Sequence, residues 1–239
     1  MIPKRVSLVP VVGIPFTSAK NVNETYVAFD MLDPLKLLAT KISDAHGIFK
    51  LNSIFRSWDK QQELRTKYEN YEKLSVEEKK KVPFVPLAAF PGGSFHMAGR
   101  AIDVSIKDLN FKGVNQSDWL KKFWDLSAPL GFRPIIATPD ASISEAWHFD
   151  YCGVWDKIRT KYSYNLAAKC AIIDIGNWNP KEDVNKIKNM FIQVQLLRLG
   201  YDIGGDIDGI LGIKSTQALS KERLEKLSLD NIILALDKK

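Results

Sequence analysis

The chain has 239 residues, of which 45% are apolar and 26% charged, and it carries a net charge of +6. That length supports one large domain or two small ones, and the composition excludes collagen, a coiled coil and a disordered polar chain. The basic balance suits a polyanionic partner such as nucleic acid, an anionic membrane face or a cell-wall polymer, but no nucleic-acid-reading motif accompanies it, and no stretch reaches the roughly 18–20 apolar residues of a membrane span.

The N-terminus runs Met1 to Arg5 and then through the apolar segment Val6 to Phe16. This has the outline of a signal peptide, but Pro10 and Pro15 interrupt it and no small-x-small cleavage site follows, so mature sequence is expected. Asp33-Pro34 provides a capping side chain and a first-turn proline, which predicts a helix start. Leu35, Leu38 and Ile42 then recur at helical spacing as far as His46-Gly47. Phe49 to Phe55 alternates apolar and polar and predicts a strand. Trp58 to Lys81 favours helix, with a break near Ser75. Val82 to Gly93 holds three prolines and two glycines and is expected to be a loop. Ala101 to Ile106 reads as a strand. Ser117-Asp118 can cap a helix through Leu126, and Gly131 to Ile136 reads as a short strand.

Beyond about residue 160 the texture changes. Ile187, Met190, Phe191, Val194 and Leu197 mark an amphipathic helix. Five glycines from Gly200 to Gly212 form a turn region, and helices are expected over Lys214 to Leu227 and Asp230 to Leu236. The expected domains are 1–162 and 163–239. Cys152 and Cys170 lack CxxC partners, which argues against a cysteine metal site and leaves their pairing open.

Two of the three histidines lie in Ser94-Phe95-His96-Met97-Ala98-Gly99-Arg100-Ala101-Ile102-Asp103 and in Glu145-Ala146-Trp147-His148-Phe149-Asp150-Tyr151. A catalytic zinc takes three protein ligands and keeps one position open. His96, Asp103 and His148 supply two imidazoles and one carboxylate. Glu145, three residues before the second histidine, is the candidate general base for water. The ligands come from two distant segments, unlike the HExxH helix, so the site suits neighbouring strands. Asp150 and Tyr151 adjoin His148 and are candidates to orient it or the substrate.

The pair of patterns SxHxxGxAxD and ExWHxxY, complete here at Ser94, His96, Gly99, Ala101 and Asp103 and at Glu145, Trp147, His148 and Tyr151, resembles the zinc D-alanyl-D-alanine carboxypeptidase family. That family includes D,D-dipeptidases and phage L-alanyl-D-glutamate endopeptidases. The resemblance spans roughly residues 30 to 155. It implies an α+β fold with a small antiparallel sheet and flanking helices, one bound zinc, His96, Asp103 and His148 as ligands, and Glu145 as catalytic base. It also implies a role for the arginine of Phe55-Arg56-Ser57, which is followed by Gln61 and Gln62. A fixed guanidinium at Arg56 polarises the scissile carbonyl or holds a substrate carboxylate. Phe55 departs from the tyrosine usual there. Arg56, Ser94, Gln61, Trp147 and Tyr151 are the expected substrate-side residues, with Trp147 in the core or as a wall of the site.

In the tail, Gln195-Leu196-Leu197-Arg198-Leu199-Gly200-Tyr201, Asp206-Ile207-Asp208-Gly209-Ile210-Leu211-Gly212, Thr216 and Ala218-Leu219 resemble a three-helix peptidoglycan-binding module. The usual aromatic-glutamine ending is missing, with Lys221-Glu222 near that place. Asp206 and Asp208 do not make a calcium loop, because Ile210 stands where a third oxygen ligand belongs and no glutamate closes the loop. The resemblances together imply a peptidase whose partner is peptidoglycan, acting at the bacterial cell wall or periplasm, where it arrives by lysis, as phage endolysins do, or by an unseen export route. Carboxypeptidase and endopeptidase stay open, and the alternative is a non-catalytic peptidoglycan-binding protein with a peptidase fold.

Overall fold

The computed structural model describes residues 3–18 and 24–239. The chain divides into two compact units, one formed by residues 8–152, the other by residues 153–239 with the described part of the first seven.

The first unit is α+β. Strands β1 (Leu8–Pro10) and β2 (Tyr26–Ala28) form an antiparallel pair, and helix α1 (Phe29–Asp44) follows directly. The helix begins one turn before the Asp33-Pro34 start expected from capping, so Pro34 lies inside it. The reason is tertiary: the backbone N–H of Ala28 donates to the carbonyl of Gly99 at 2.9 Å, which fixes the entry of the helix from β2. Pro34 is the sixth residue of the helix and has no N–H to donate to the carbonyl of Asp30, so the helix gives up one i→i−4 bond there.

The main sheet is antiparallel, in the order β3 (Leu51–Ser53), β4 (Ala101–Val104), β6 (His148–Tyr151), β5 (Phe132–Pro134). The expected strand Phe49 to Phe55 is three residues long, and its register against β4 shifts between Leu51 and Ser53. Period-two alternation gives each strand two faces. Ile102, Val104 and Phe149 enter the hydrophobic core, which also holds Leu35, Leu38 and Ile42 of α1 and Phe123 of helix α4 (Trp119–Ser127). The rings of Phe123 and Phe149 meet edge-on at 4.7 Å, a preferred aromatic geometry. Asp103, His148 and Asp150 are left on the other face.

Between β3 and β4, helix α2 (Trp58–Glu72) starts at Ser57, whose side chain accepts from the N–H of Lys60. The break expected near Ser75 is a capping box with Glu78, which opens the short helix α3 (Val76–Lys79). Gln61, the buried residue of α2, donates to the carbonyl of Ala89 at 2.8 Å. It thereby ties the helix to the loop that leads into the first motif.

The second unit comprises α5 (Asp156–Lys161), α6 (Tyr164–Asp174), α7 (Val184–Arg198), α8 (Ile213–Lys221) and α9 (Leu229–Asp237). Helix α7 packs against α6, α8 and α9. Helix α8 stops short of the expected Leu227, because Arg223 takes a left-handed φ of 61° that a continuing helix does not accept. Gln193 holds the glycine-rich turn: it accepts from the N–H of Gly209 at 2.9 Å and donates to Asp208 at 3.0 Å. Asp206 pairs with Lys169 at 2.8 Å. Buried Asp174 receives Arg5 at 2.7 Å and Gln195 at 3.0 Å. No helix among the described residues is long and apolar enough to cross a membrane.

Candidate metal centre

Two local structures present the site. The first is a 3-10 turn, Phe95–Ala98, capped by Ser94, whose side chain accepts from the N–H of His96 at 3.3 Å. Gly99 ends the turn with a φ of 61°. A Cβ there would stand 2.7 Å from Leu8 Cδ2 and 3.0 Å from the nitrogen of Ala28, so glycine is required both for backbone angle and for space. The second is the β4–β6 ladder, in which Asp103 and His148 are direct cross-strand partners.

The three side chains converge. His96 Nε2, Asp103 Oδ1 and His148 Nδ1 lie 3.1 Å from one another. All three residues are buried, and among the described residues they form the group of ligand-type side chains able to hold a metal ion. Each imidazole has its other nitrogen spoken for. His96 Nδ1 lies 2.5 Å from the carbonyl of Ile54. A carbonyl only accepts, so Nδ1 carries the proton and Nε2 offers a lone pair. His148 Nε2 lies 2.9 Å from Asp150 Oδ1.

This donor set fits a divalent ion. Tetrahedral coordination with bonds of about 2.0–2.1 Å separates neighbouring ligand atoms by about 3.3 Å, close to the spacing here. Three converging protein ligands leave a fourth position for a reactant.

Arg56 Nη2 donates to Asp103 Oδ2 at 2.8 Å. The carboxylate therefore turns one oxygen to the histidines and the other to the guanidinium. Burial opposes the charge on Asp103, yet the histidines and Arg56 overcome it and hold its pKa well below the usual carboxylate range. Burial and Arg56 lower His96, outweighing Asp103. Burial also works against protonation of His148, but Asp150 and Asp103 outweigh it and push its pKa up to about 10. Without metal, His148 is thus an imidazolium whose two N–H groups face the carboxylates of Asp103 and Asp150.

Glu145 precedes β6 and is half-buried. Its carbonyl accepts from the N–H of His148 at 2.9 Å, and its φ is 67°. A left-handed glutamate is uncommon, and such strain concentrates at functional sites. Burial and the charge of Asp103 raise its pKa, against the opposing pull of His148 and Arg56.

The structure thus brings His96, Asp103, His148 and Arg56 into contact, and Glu145 within their electrostatic reach. The hydroxyl of Ser94 is engaged in capping the turn. Gln61 lies under the preceding loop. Trp147 is half-buried, and its carbonyl accepts from the N–H of Val104. Tyr151 packs its ring on Phe132 at 5.6 Å, on the core side of the sheet. Two contacts had no sequence signal: the carbonyl of Ile54, a main-chain atom, and the ion pair of Arg56 with Asp103, where the arginine was expected to face substrate.

Among curated proteins, none matches this chain. Similar solved structures include the LD-carboxypeptidase LdcB, with 22% identity over 71% of this chain and 78% of that one, at a TM-score of 0.45. VanYB in complex with D-alanine-D-alanine has 18% identity over 65% of this chain and 90% of its own, at a TM-score of 0.41. A variant of the vancomycin resistance D,D-pentapeptidase VanY in complex with Zn(II) has 18% identity over 70% of this chain and 93% of its own, at a TM-score of 0.40. The VanY family of D-alanyl-D-alanine carboxypeptidases matches residues 24–154, more than half of the sequence and all of the converging ligand segments, and the chain belongs to that family.

Proposed function

We propose that this protein is a zinc-dependent peptidase that hydrolyses an amide bond in peptidoglycan stem peptides, at the bacterial cell wall or periplasm. The observation that carries this reading is the buried triangle of His96 Nε2, Asp103 Oδ1 and His148 Nδ1, with Glu145 beside it.

In this reading His96, Asp103 and His148 hold one zinc ion. Zinc supplies Lewis acidity toward a carbonyl and makes water a stronger acid. Glu145 takes the proton of the attacking water and delivers it to the leaving amine. Its raised pKa suits both halves of that transfer. Arg56 pairs with Asp103 and orients it, and a guanidinium so placed also lends positive potential where negative charge develops on the carbonyl oxygen. Ser94, Gln61, Trp147 and Tyr151 are proposed to shape the substrate side, through their own contacts or through the turn, loop and strand they hold.

Residues 163–239 are proposed as a peptidoglycan-binding-like module that keeps the peptidase domain near polymer and raises its local concentration. The turn clamped by Gln193 on Asp208 and Gly209 supports the resemblance in that segment.

Mass analysis of digested muropeptides tests the bond. Loss of one terminal alanine identifies the carboxypeptidase expected of the family. Free stem peptides identify an L-alanyl-D-glutamate endopeptidase, as in an endolysin. Muropeptides unchanged by the zinc-loaded protein would overturn the reading.

A further inference from the structure

We infer that Asp150 is a positioning residue for the metal: it selects which nitrogen of His148 faces the centre and strengthens that nitrogen as a ligand. The inference rests on the metal reading above and extends it to a residue outside the ligand set.

The two histidines present different atoms. His96 turns Nε2 to the centre, and His148 turns Nδ1. A neutral imidazole has one bare nitrogen, and the partner of the other nitrogen decides which one it is. For His96 that partner is a neutral main-chain carbonyl, at Ile54. For His148 it is a carboxylate, Asp150, at 2.9 Å. Both members of this second pair are buried, Asp150 to 3% exposure and His148 to 6%, so water does not compete for the bond.

The register explains the arrangement. Asp150 and His148 are two residues apart on β6 and share a face. Opposite them on β4 stand Ala101 and Asp103. The small side chain of Ala101 leaves the space across from Asp150, while Asp103 faces His148. One strand face thus carries, in line, a carboxylate, an imidazole and the cross-strand carboxylate that is itself a ligand. A carboxylate accepting the second N–H fixes the ring and makes the ligating nitrogen more basic, and loss of such a partner typically costs 10–100-fold in metal affinity. Arg133 is the cross-strand neighbour of Asp150 on β5, so a purely structural role is the rival to be separated.

The test is zinc affinity by chelator competition for the wild type, Asp150→Ala and Asp150→Asn, with nitrogen-15 and proton NMR of the imidazoles in the zinc-loaded proteins. In the wild type, the His148 Nε2 proton is expected far downfield and slow to exchange. Asp150→Ala should lower zinc affinity about 10–100-fold and abolish that protected resonance. Asp150→Asn keeps an accepting oxygen but not its charge, and should fall between the two. Because asparagine is isosteric, it carries the test if the alanine variant does not fold. If both variants hold zinc within about twofold of a tightly binding wild type, Asp150 is structural and the inference is overturned while the metal reading stands. A wild type that holds no zinc would overturn both.

Discussion

Glu145 combines a left-handed backbone, half-burial and a raised pKa beside three charged or metal-binding groups. A residue kept there solely for stability would gain from being asparagine or glycine, which accept such an angle more readily. Glu145→Gln removes the base while preserving shape, and is expected to reduce turnover of stem peptides by about 10²–10⁴-fold with zinc content unchanged, as read by kinetics beside metal analysis. The ligands carry a separate prediction. In the metal-free protein His148 is protonated up to about pH 10, whereas His96 is held neutral. Zinc must displace the His148 proton, because it binds only the neutral imidazole. Between about pH 7 and pH 10 the apparent affinity should therefore rise about tenfold per pH unit, with about one proton released per ion, as calorimetry in buffers of different ionisation heat would show. At this scale the sequence revealed which side chains meet, because their types and spacings are recorded in it. It did not reveal which imidazole nitrogen points inward or that Arg56 grips Asp103, since those depend on the carbonyl of Ile54 and on the fold around β3.

The β2–α1 junction and the Gly99 turn show how elements hold the ligands in place. The turn between His96 and Asp103 lies against the nitrogen of Ala28 and the side chain of Leu8, leaving no room for a Cβ at Gly99. Gly99→Ala would combine a strained positive φ with displacement of β1 and β2 from the turn at Gly99. The expected cost is about 1–3 kcal/mol, read as a lower denaturation midpoint, together with weaker zinc binding. An unchanged midpoint and affinity would show that the junction yields without consequence. Helix faces were legible in advance, because Leu35, Leu38 and Ile42 follow the helical period and are buried as it predicts. The capping box at Ser75 was legible as a break. Strands β1 and β2 were not, because three-residue strands offer too short a pattern for period two to register. The early start of α1 was also hidden, since it depends on a hydrogen bond from Ala28 to Gly99, 71 residues later in the chain by the numbering.

At the scale of the whole molecule, the α+β unit with its metal-binding face belongs to a carboxypeptidase family, and the second unit, built on residues 153–239, is helical. In the proposed reading, the net charge of +6 carried by the whole chain favours approach to an anionic wall in a salt-dependent manner. In the proposed function, the His96–Asp103–His148 triangle works as a zinc site on stem peptides. The most direct measurement is release of alanine or peptides from purified peptidoglycan by the full chain, before chelation, after chelation and after zinc is restored. Cleavage is expected that chelation abolishes and zinc recovers, with Glu145→Gln far weaker in all three conditions. Cleavage that persists in the chelated protein, or none from a protein carrying one zinc per chain, would contradict the proposed function.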